Sequence, residues 1–417
     1  MLPNRHQPRS PPFLPVHLLL LLLAVAPMPQ PAAAVGVTWG FASSHPLPAA
    51  QVVRGILLPN SVPRVRLAAA SSDALSALAG TGVAVTVGVP DALLRPLAGS
   101  RKAAAAWVHN NITRYASSVR FDFRPDVNET MVELLSFLAN NTSPFMVELN
   151  PFLSFQQNKN LSLDYYLFQL MTHPVKDGQN KYDNYFDASI DALVTALTRA
   201  GFGDMGIVVG RAGWPTDGAV NATPAVAQSF MTGLVNHLAK KSGTPLRPKV
   251  PPVETYLLSL LDEDQHSIAR GDSERHYGIF TFDGQAKYYV NIGQGPKALK
   301  NAPDVEYLPS KWCVVDNNKE LSNVFSSFAA ACSNGDCTAL SPGGSCSGLG
   351  WPGNVSYAFN SYYQQHDQSE ESCNFNGLGL ITTVDPSVDN CLFPLAIRTS
   401  AAVSLHPTLV ITLLPLL

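Results

Sequence analysis

The sequence predicts a parallel α/β fold followed by a small disulfide-stapled module. Over residues 35–296, short apolar runs alternate with Ala- and Leu-rich stretches of helical pattern, as expected for strands joined by crossover helices. The runs VAVTVGV and GIVVG are apolar on both faces, which is typical of strands buried in a parallel sheet. All 6 Cys fall between Cys313 and Cys391, and a small module needs such staples whereas a large domain can rely on its core.

Six strands are predicted in the large segment, two short of a closed (β/α)8 barrel. In order they are Gly36–Phe41, Pro63–Ala68, Val83–Val89, Pro144–Phe152, Gly206–Gly210 and Val253–Leu261. The predicted helices are Ser72–Ala79, Arg101–Tyr115, Val127–Ala139, Phe186–Ala200 and Pro224–Lys240. The repeated order of strand and helix therefore predicts an α/β barrel that is incomplete.

The composition excludes several classes of protein. The chain has 417 residues, of which 46% are hydrophobic and 14% charged, and its formal net charge is -3. A single domain rarely exceeds about 250 to 300 residues, so we expect one large domain and a smaller one. A near-neutral charge provides neither an electrostatic footprint for nucleic acid nor a polybasic membrane patch. We therefore expect no nucleic-acid partner.

The N-terminal residues 1–34 have the pattern of a secretory signal peptide. Arg5 and Arg9 precede an apolar run from Val16 to Ala26, and Ala32 and Ala34 then fit an A-x-A cleavage site. A membrane anchor is the alternative, but the run is shorter than the roughly 20 residues that span a bilayer. The mature chain is therefore expected to be secreted.

The C-terminal residues 394–417 resemble a glycosylphosphatidylinositol attachment signal. Small residues surround Ser400, and the chain ends in the apolar run TLVITLLPLL. The alternative is a frayed hydrophobic tail, which would be an aggregation hazard on a secreted protein. We expect attachment at Ser400, with the protein anchored by lipid to the outer face of the plasma membrane, in the cell wall or apoplast.

The cysteine-rich module is predicted at residues 312–393, after a linker at 297–311. Six cysteines allow many pairings, and spacing alone does not choose among them. Zinc binding is the competing interpretation, but the spacings include no C-x-x-C pair, so no metal site is expected. Acceptor patterns for N-glycosylation lie at Asn111, Asn128, Asn140, Asn141, Asn160, Asn221 and Asn354.

A series of motifs gives the large segment a resemblance to a known family. They are GVTWG, VAVTVGVP, SPFMVELNPF, GFGDMGIVVGRAGWPTDG, GTPLRP, ETYLLSLLDEDQ and ERHYGIF. Together they resemble the plant endo-1,3-β-glucanases of glycoside hydrolase family 17, a (β/α)8-barrel family that cleaves β-1,3-glucans such as callose. The motifs cover most of residues 35–293.

The C-terminal module resembles carbohydrate-binding module family 43, which is found attached to such enzymes. The resemblance rests on WCVV, PGGSC, VSYAFNSYYQQ, SCNFNG, ITTVDPS and the order of the six cysteines. It implies the bridges Cys313–Cys373, Cys332–Cys337 and Cys346–Cys391. It also implies β-1,3-glucan as a partner, with no cofactor, and we expect the chain to be a monomer.

Both catalytic positions of the family differ in this chain. A retaining glycosidase needs two carboxyl groups about 5 to 5.5 Å apart, an acid and a nucleophile. The family's nucleophile is a glutamate two residues before the Gly-Trp pair, and this chain has Arg211 at that position. The Arg211 guanidinium has no hydrogen-bond acceptor and is permanently cationic. The family's acid follows an asparagine at the end of the fourth strand. That segment is missing, because the helix ending near Tyr115 is followed almost directly by Phe121-Asp122-Phe123.

The predicted fold class is thus α/β: a (β/α)8 TIM-barrel-type domain that lacks the fourth and fifth strands, plus the small disulfide-stapled C-terminal module. Other cleft positions differ as well, since Ala68-Ala69-Ala70 follows the second strand where the family has a carboxylate, and His266 replaces a lysine. Glu263 and Glu274 match the family's supporting carboxylates. One hypothesis makes them a replacement catalytic pair, and the alternative is two surface glutamates, solvated or salt-bridged.

Two further features of the cleft and module remain open. Glu148, on a predicted strand, is either a replacement acid or a satisfied carboxylate at the barrel rim. Aromatic rings offer amphipathic faces for sugar binding. The candidate rings are Trp39, Phe152, Trp214, Trp312, Tyr357, Tyr362 and Tyr363, with Trp351 and Phe375. Some of them are expected in the core, and alternation would place Tyr357, Phe359 and Tyr363 on one strand face.

Three hypotheses follow. The first is a β-1,3-glucan-recognising wall protein whose glucanase domain is degenerate, with hydrolysis weak or absent. The second is an active glucan endo-1,3-β-glucosidase, which requires a catalytic pair that the sequence does not show. The third is a truncated or aberrantly spliced product, because a barrel without two strands has open edges.

Overall fold

The computed structural model describes residues 35–89, 93, 120–122, 131–240 and 242–398. Several predictions fall outside these described residues. They are the signal peptide at 1–34, the helix Arg101–Tyr115, the sequons Asn111 and Asn128, Ser400 and the C-terminal apolar run.

A seven-stranded sheet forms the centre of the large domain. Its strands are β1 (Val35–Trp39), β2 (Arg64–Leu67), β3 (Ala84–Val87), β4 (Arg120–Asp122), β5 (Phe145–Glu148), β8 (Ile207–Ala212) and β9 (Glu254–Leu257). Their order in space is β4-β3-β2-β1-β9-β8-β5, with every pair parallel. All six predicted strands are present, and β4 is an additional strand of three residues.

The seven described strands of this sheet are all parallel and follow one another as in a barrel, but they do not close into a ring. In a closed barrel every strand pairs on both sides, so β4 and β5 would be linked. Within the described ranges, β4 and β5 are instead the two outer strands of the sheet. The predicted barrel-type α/β domain, short of a full set of strands, is therefore confirmed.

The helices begin at capping residues that the sequence supplies. Ser71, Asn150, Asn184 and Thr223 each accept a hydrogen bond from a backbone N–H in the first turn of the helix that follows. The helices of this domain are α1 (Ala49–Gln51, continued by a π-helical segment Val52–Leu57), α2 (Ser72–Leu78), α3 (Met131–Asn140), α4 (Pro151–Gln157), α5 (Leu163–Tyr166), α6 (Tyr185–Arg199) and α7 (Pro224–Ala239). A short hairpin, β6 (Val175–Asp177) and β7 (Asn180–Tyr182), precedes α6. None of the helices described is long and apolar enough to cross a membrane.

The core of the large domain lies between the sheet and its helices. All five residues of β1 and the first four of β8 are buried, as the apolar runs predict for central parallel strands. Helix α7 buries a stripe of Ala227, Phe230, Met231, Leu234 and Leu238 against this core. The i, i+3, i+4 spacing of these residues is what gives the helix one apolar face.

The C-terminal module is built on two helices and a two-stranded sheet. Its elements are β10 (Trp312–Val315), α8 (Val324–Asn334), α9 (Gly353–Gln365) and β11 (Gly379–Thr382), with β10 and β11 antiparallel. Its disulfides are Cys313–Cys373, Cys332–Cys337 and Cys346–Cys391. These are the pairs that the resemblance implied, and no described cysteine is free to bind zinc.

One prediction for the module is wrong. Tyr357, Phe359 and Tyr363 do not share a strand face, because they lie on helix α9. Phe359 and Tyr363 are four residues apart and enter the same small core together with Val355. The run of Tyr, Asn and Ser favours a helix only weakly, so packing of its apolar face determines the structure.

The module contacts loops of the large domain directly. Arg275 Nη1 lies 3.0 Å from Asp336 Oδ1, and His276 Nε2 lies 2.6 Å from Thr338 Oγ1. Gly343 approaches the backbone of Val220 so closely that a Cβ atom there would collide with it. The described residues of the large domain and of the module thus belong to one compact unit.

The chain enters and leaves the module side by side. Leu308 N donates to Ala396 O at 2.8 Å, and Arg398 N donates to Glu306 O at 2.7 Å. Tyr307 and Ile397 form an antiparallel bridge between these two hydrogen bonds. The two ends of the module are therefore tied to each other by backbone pairing.

The disulfides are expected to differ in their effect on stability. Cys313–Cys373 spans 60 residues and Cys332–Cys337 spans 5. Loop-closure entropy assigns about 4 kcal/mol to the first and about 2 kcal/mol to the second. Replacing Cys313 and Cys373 together by Ser should therefore lower the urea midpoint more than replacing Cys332 and Cys337. Equal losses in the two double variants would contradict this account.

Candidate functional site

The C-terminal end of the sheet carries a cluster of three charged side chains, Arg66, Glu148 and Arg211. Arg66 lies on β2, Glu148 ends β5 and Arg211 is near the end of β8. Glu148 Oε2 lies 3.8 Å from Arg211 Nη1, and Glu148 Oε1 accepts a hydrogen bond from Arg66 Nη2 at 3.4 Å. The barrel fold places binding and catalytic groups at this end of the strands.

Local strand geometry brings Glu148 to Arg211. The pairing of β5 with β8 shifts register between Val147 and Glu148, so that Glu148 lies opposite Arg211 instead of Gly210. The bulge re-aims the side chain, as bulges commonly do beside functional sites. Glu148 is thus a carboxylate at the barrel rim that is held by guanidinium groups, and the interpretation of it as a satisfied rim residue fits this geometry.

The chemistry available to this cluster is limited. A guanidinium group donates five hydrogen bonds, accepts none and stays charged at all working pH values. Arg211 therefore cannot act as a nucleophile. The cluster has the donors and acceptors for binding hydroxyl groups, but it lacks a second carboxylate for acid catalysis.

Tyr277 and Asn150 extend the cluster along the same rim. The Tyr277 hydroxyl lies 3.5 Å from Asn150 Oδ1, to which it donates. Burial and, next, the Glu274 carboxylate raise the pKa of Tyr277 above its ordinary value, while the nearby Arg211 and Arg270 oppose them. The phenol therefore stays protonated at neutral pH and remains a hydrogen-bond donor.

Glu263 and Glu274 have different surroundings. Glu263 Oε1 accepts a hydrogen bond from Ala42 N at 2.8 Å, and a Cβ atom on Gly40 would collide with its carboxylate. Glu263 therefore fixes the loop that follows β1. Glu274 is only 9% exposed, so its interpretation as a surface glutamate is wrong.

Most of the candidate aromatic residues are in the core. Trp39, Phe152, Trp214, Trp312, Tyr357 and Tyr363 are each less than 9% exposed. Trp214 is representative: its ring lies 5.1 Å from that of Phe152, and its Nε1 donates to Asn221 O. Burial of these six rings favours a packing role and leaves none of them a face for stacking on a polysaccharide.

Tyr362 is the exception, and it belongs to a half-exposed aromatic cluster with His366 and Phe375. The rings of Tyr362 and His366 stack at 3.9 Å, and those of Tyr362 and Phe375 are 5.5 Å apart. Trp351 and Phe325 are exposed at other positions of the module. Flat, partly wet rings of this kind suit the apolar faces of sugars.

The remaining predicted positions are two cleft positions and the glycosylation sequons. Ala68-Ala69-Ala70 follows β2 as expected, and His266 is half-buried beside Arg275, whose Nε donates to its carbonyl. The sequons at Asn140, Asn141 and Asn160 are exposed, and those at Asn221 and Asn354 are half-buried. Among the residues described, no group of three or more His, Cys, Asp or Glu side chains could hold a metal ion.

Sequence reasoning missed two members of the rim, Arg66 and Tyr277. Arg66 had a signal, because it alternates with Val65 and Leu67 in a strand and is a charged residue where a buried strand has apolar neighbours. Its 8% exposure requires a partner, which Glu148 provides. Tyr277 had none beyond its place in the motif ERHYGIF.

Comparisons with known proteins find one family match in the large segment and another in the C-terminal module. The profile of "Glycosyl hydrolases family 17" matches residues 122–292, and that of the "X8 domain" matches residues 311–380. Glucan endo-1,3-beta-glucosidase 9 of Arabidopsis thaliana is 47% identical, covering 90% of this chain and 91% of the relative. Glucan endo-1,3-beta-glucosidase 5 of the same plant is 37% identical over 88% of this chain and 89% of its own.

Solved structures give the same result for the large domain. CJP38, described as a beta-1,3-glucanase and allergen of Cryptomeria japonica pollen, is 26% identical with a TM-score of 0.56. The similarity covers 62% of this chain and 99% of that one. One of two plant beta-glucan endohydrolases is 28% identical, also with a TM-score of 0.56, over 61% of this chain and 99% of its own.

The alignment also shows that this chain lacks residues that its relative has. The alignment to the 47% identical relative has 440 positions, whereas 90% of 417 residues is about 375. About 65 aligned positions therefore have no residue of this chain. A typical barrel has about 30 residues in each of its eight strand–helix units, so this number of positions is the size of about two units.

Removing the charge of Glu148 should destabilise the rim. Glu148→Gln keeps the shape of the side chain but loses the carboxylate between two guanidinium groups. Because Glu148 is partly exposed and its interactions are screened, we expect the free energy of unfolding to fall by no more than about 1 kcal/mol. Asp73→Asn is the control, because Asp73 is exposed near the start of α2. Urea unfolding of both variants measures the difference, and a Glu148→Gln protein as stable as the control would contradict the role given to this cluster.

Proposed function

We propose, from the premise that the chain belongs to glycosyl hydrolases family 17, that it binds β-1,3-glucan of the plant cell wall, such as callose, without hydrolysing it. The observation that carries the proposal is Arg211 at the end of β8, where the chemistry of a retaining glycosidase needs a carboxylate. The relatives named above as glucan endo-1,3-beta-glucosidases supply the substrate class.

The surroundings of Arg211 support the loss of hydrolysis. The guanidinium lies against Glu148, and this carboxylate is engaged by both Arg211 and Arg66. A nucleophile needs a free carboxylate facing the anomeric carbon, with an acid about 5 to 5.5 Å away. Glu263 does not substitute, because it is bonded to the backbone of the loop after β1.

The module supports the retention of binding. It keeps its three disulfides and the half-exposed cluster of Tyr362, His366 and Phe375. Polysaccharide recognition by stacked rings needs only such a surface and no catalytic group. Binding and hydrolysis are therefore separable, and this chain keeps the features of the first.

The proposed location is outside the cell, at the outer face of the plasma membrane. Three disulfides suit an oxidising compartment. The signal-peptide pattern of residues 1–34, the attachment signal around Ser400 and the accessible sequons are further grounds for secretion and lipid anchoring.

Two alternatives have specific grounds. An active glucan endo-1,3-β-glucosidase is what the names of the relatives suggest. A truncated or aberrantly spliced product is suggested by the roughly 65 aligned positions without a residue and by the open sheet. Sequencing of full-length transcripts across the codons for Tyr115 to Arg124 would test the truncated or aberrantly spliced product. An intact reading frame with additional codons there would identify the present chain as incomplete.

Hydrolysis should be absent whatever residue stands at position 211. We expect the wild type, Arg211→Ala and Arg211→Glu to release reducing sugar from a linear β-1,3-glucan at the same background rate. Arg211→Glu returns the nucleophile's charge but not the acid, so it should not restore activity. A wild-type rate well above that of Arg211→Ala would overturn the proposal and favour the active enzyme.

Retention on glucan should depend on the aromatic cluster of the module. Tyr362→Ala is expected to weaken binding to insoluble β-1,3-glucan about tenfold, because it removes the stacked ring at the centre of the cluster. Phe325→Ala is the matched control, since Phe325 is an exposed ring on α8 outside that cluster. A pull-down isotherm measures both. No retention of the wild type would overturn glucan binding, and equal losses in both variants would overturn the assignment to Tyr362.

A further inference from the structure

A cavity of about 690 Å³ lies at the junction of the large domain and the module. On one side it is lined by Ser44, Thr216 and Asp264, from the loops that follow β1, β8 and β9. On the other side it is lined by Tyr357 and Gln365 of α9. Arg66, Glu148 and Arg211 do not line it. Its volume lies in the range of about 300 to 1,000 Å³ typical of small-molecule sites.

The charged residues of the cavity wall pair among themselves and leave a negative excess. Lys287 Nζ lies 2.7 Å from Asp262 Oδ1, and Arg275 pairs with Asp336. Two further carboxylates, Asp217 and Asp264, bond to neutral donors. Asp217 accepts from Ser345 N, Ser345 Oγ and Gly218 N. Asp264 accepts from Ser44 N, Ser44 Oγ and Gln365 Nε2. A wall with this balance disfavours acidic ligands, and each of these two carboxylates keeps about one acceptor position for a hydroxyl group.

Tyr357 contributes a donor to the same cavity. Its side chain lines the cavity and is 8% exposed. Burial, and then the carboxylates of Asp336 and Asp217, raise the pKa of Tyr357, so the phenol stays protonated. A protonated phenol at a cavity wall is a hydrogen-bond donor for a ligand in the cavity.

Apolar surface completes the lining. Phe282 and Pro394 lie on the wall, and Leu392, which is 69% exposed, lies where the cavity reaches solvent. Hydroxyl donors and acceptors combined with apolar faces are the requirements of a neutral sugar.

We propose that this junction cavity binds a short, neutral, β-1,3-linked glucose oligosaccharide, with the Tyr357 hydroxyl donating to it and Asp217 and Asp264 accepting from its hydroxyl groups. The proposal rests on the glucan-binding function above and adds a second site to it. The aromatic cluster around Tyr362 contacts the insoluble polymer, whereas the cavity takes a chain end or a short fragment. The loops of three barrel strands and the module are both required to build it.

The first test is a calorimetric titration of the full chain with a trimer of β-1,3-linked glucose. Tyr357→Phe removes only the hydroxyl, so binding should weaken about fivefold, as for one hydrogen bond. Tyr288→Phe is the matched control. Tyr288 has a buried hydroxyl without a partner among the described residues and does not line the cavity, so its variant should bind as the wild type does.

The second test narrows the mouth of the cavity. Leu392→Trp should abolish saturable binding of the trimer, while Val384→Trp, at a comparably exposed position away from the cavity, should leave it unchanged. Both variants should keep the retention of the wild type on insoluble glucan. If the wild type is retained on the polymer but binds no trimer, or if Tyr357→Phe and Leu392→Trp bind it like their controls, the cavity proposal is overturned and glucan binding stands. If the wild type binds neither polymer nor trimer, both proposals fall.

Discussion

The large domain depends on the parallel pairing of β1 with β9. These strands, Val35–Trp39 and Glu254–Leu257, are far apart in sequence, and their hydrogen bonds join β2, β3 and β4 on one side to β8 and β5 on the other. In a closed barrel the same two groups would also meet through the fourth and fifth strands. In the described sheet β1 and β9 are the only backbone-paired strands that join the two groups, and side-chain hydrogen bonds such as that from Arg66 to Glu148 reinforce the connection.

The open edges of the sheet and the altered rim have a common consequence for chemistry. A barrel enzyme holds acid and nucleophile on different strands, so their separation is set by strands that must be present. On the assignment proposed above, the nucleophile's position on β8 carries Arg211 and the segment with the acid is missing. Neither change causes the other, so a chain with the missing segment restored would still have a cation where the proposal places the nucleophile.

The sequence predicts the central strands because their apolar runs are long and uninterrupted, as in VAVTVGV. It does not predict β4, since Arg120–Asp122 is short and charged at both ends. The contact of Glu148 with Arg211 was equally out of reach, because it follows from a register shift of one residue, and side-chain periodicity carries no record of a bulge. The resemblance to a known module family predicted the disulfide pairs. It did not predict the burial of Trp214 and Tyr363, because an aromatic residue suits a core and a sugar site equally well.

The side-by-side entry and exit of the module decide how the protein would respond to mechanical load. The lipid anchor proposed above would pull first on the backbone ladder between residues 306–308 and 396–398. That ladder lies between the proposed anchor and the large domain, so tension would pass from one to the other without crossing the three disulfides or the helices of the module. A wall polymer held by the module and a membrane held by the anchor would therefore strain different parts of the chain.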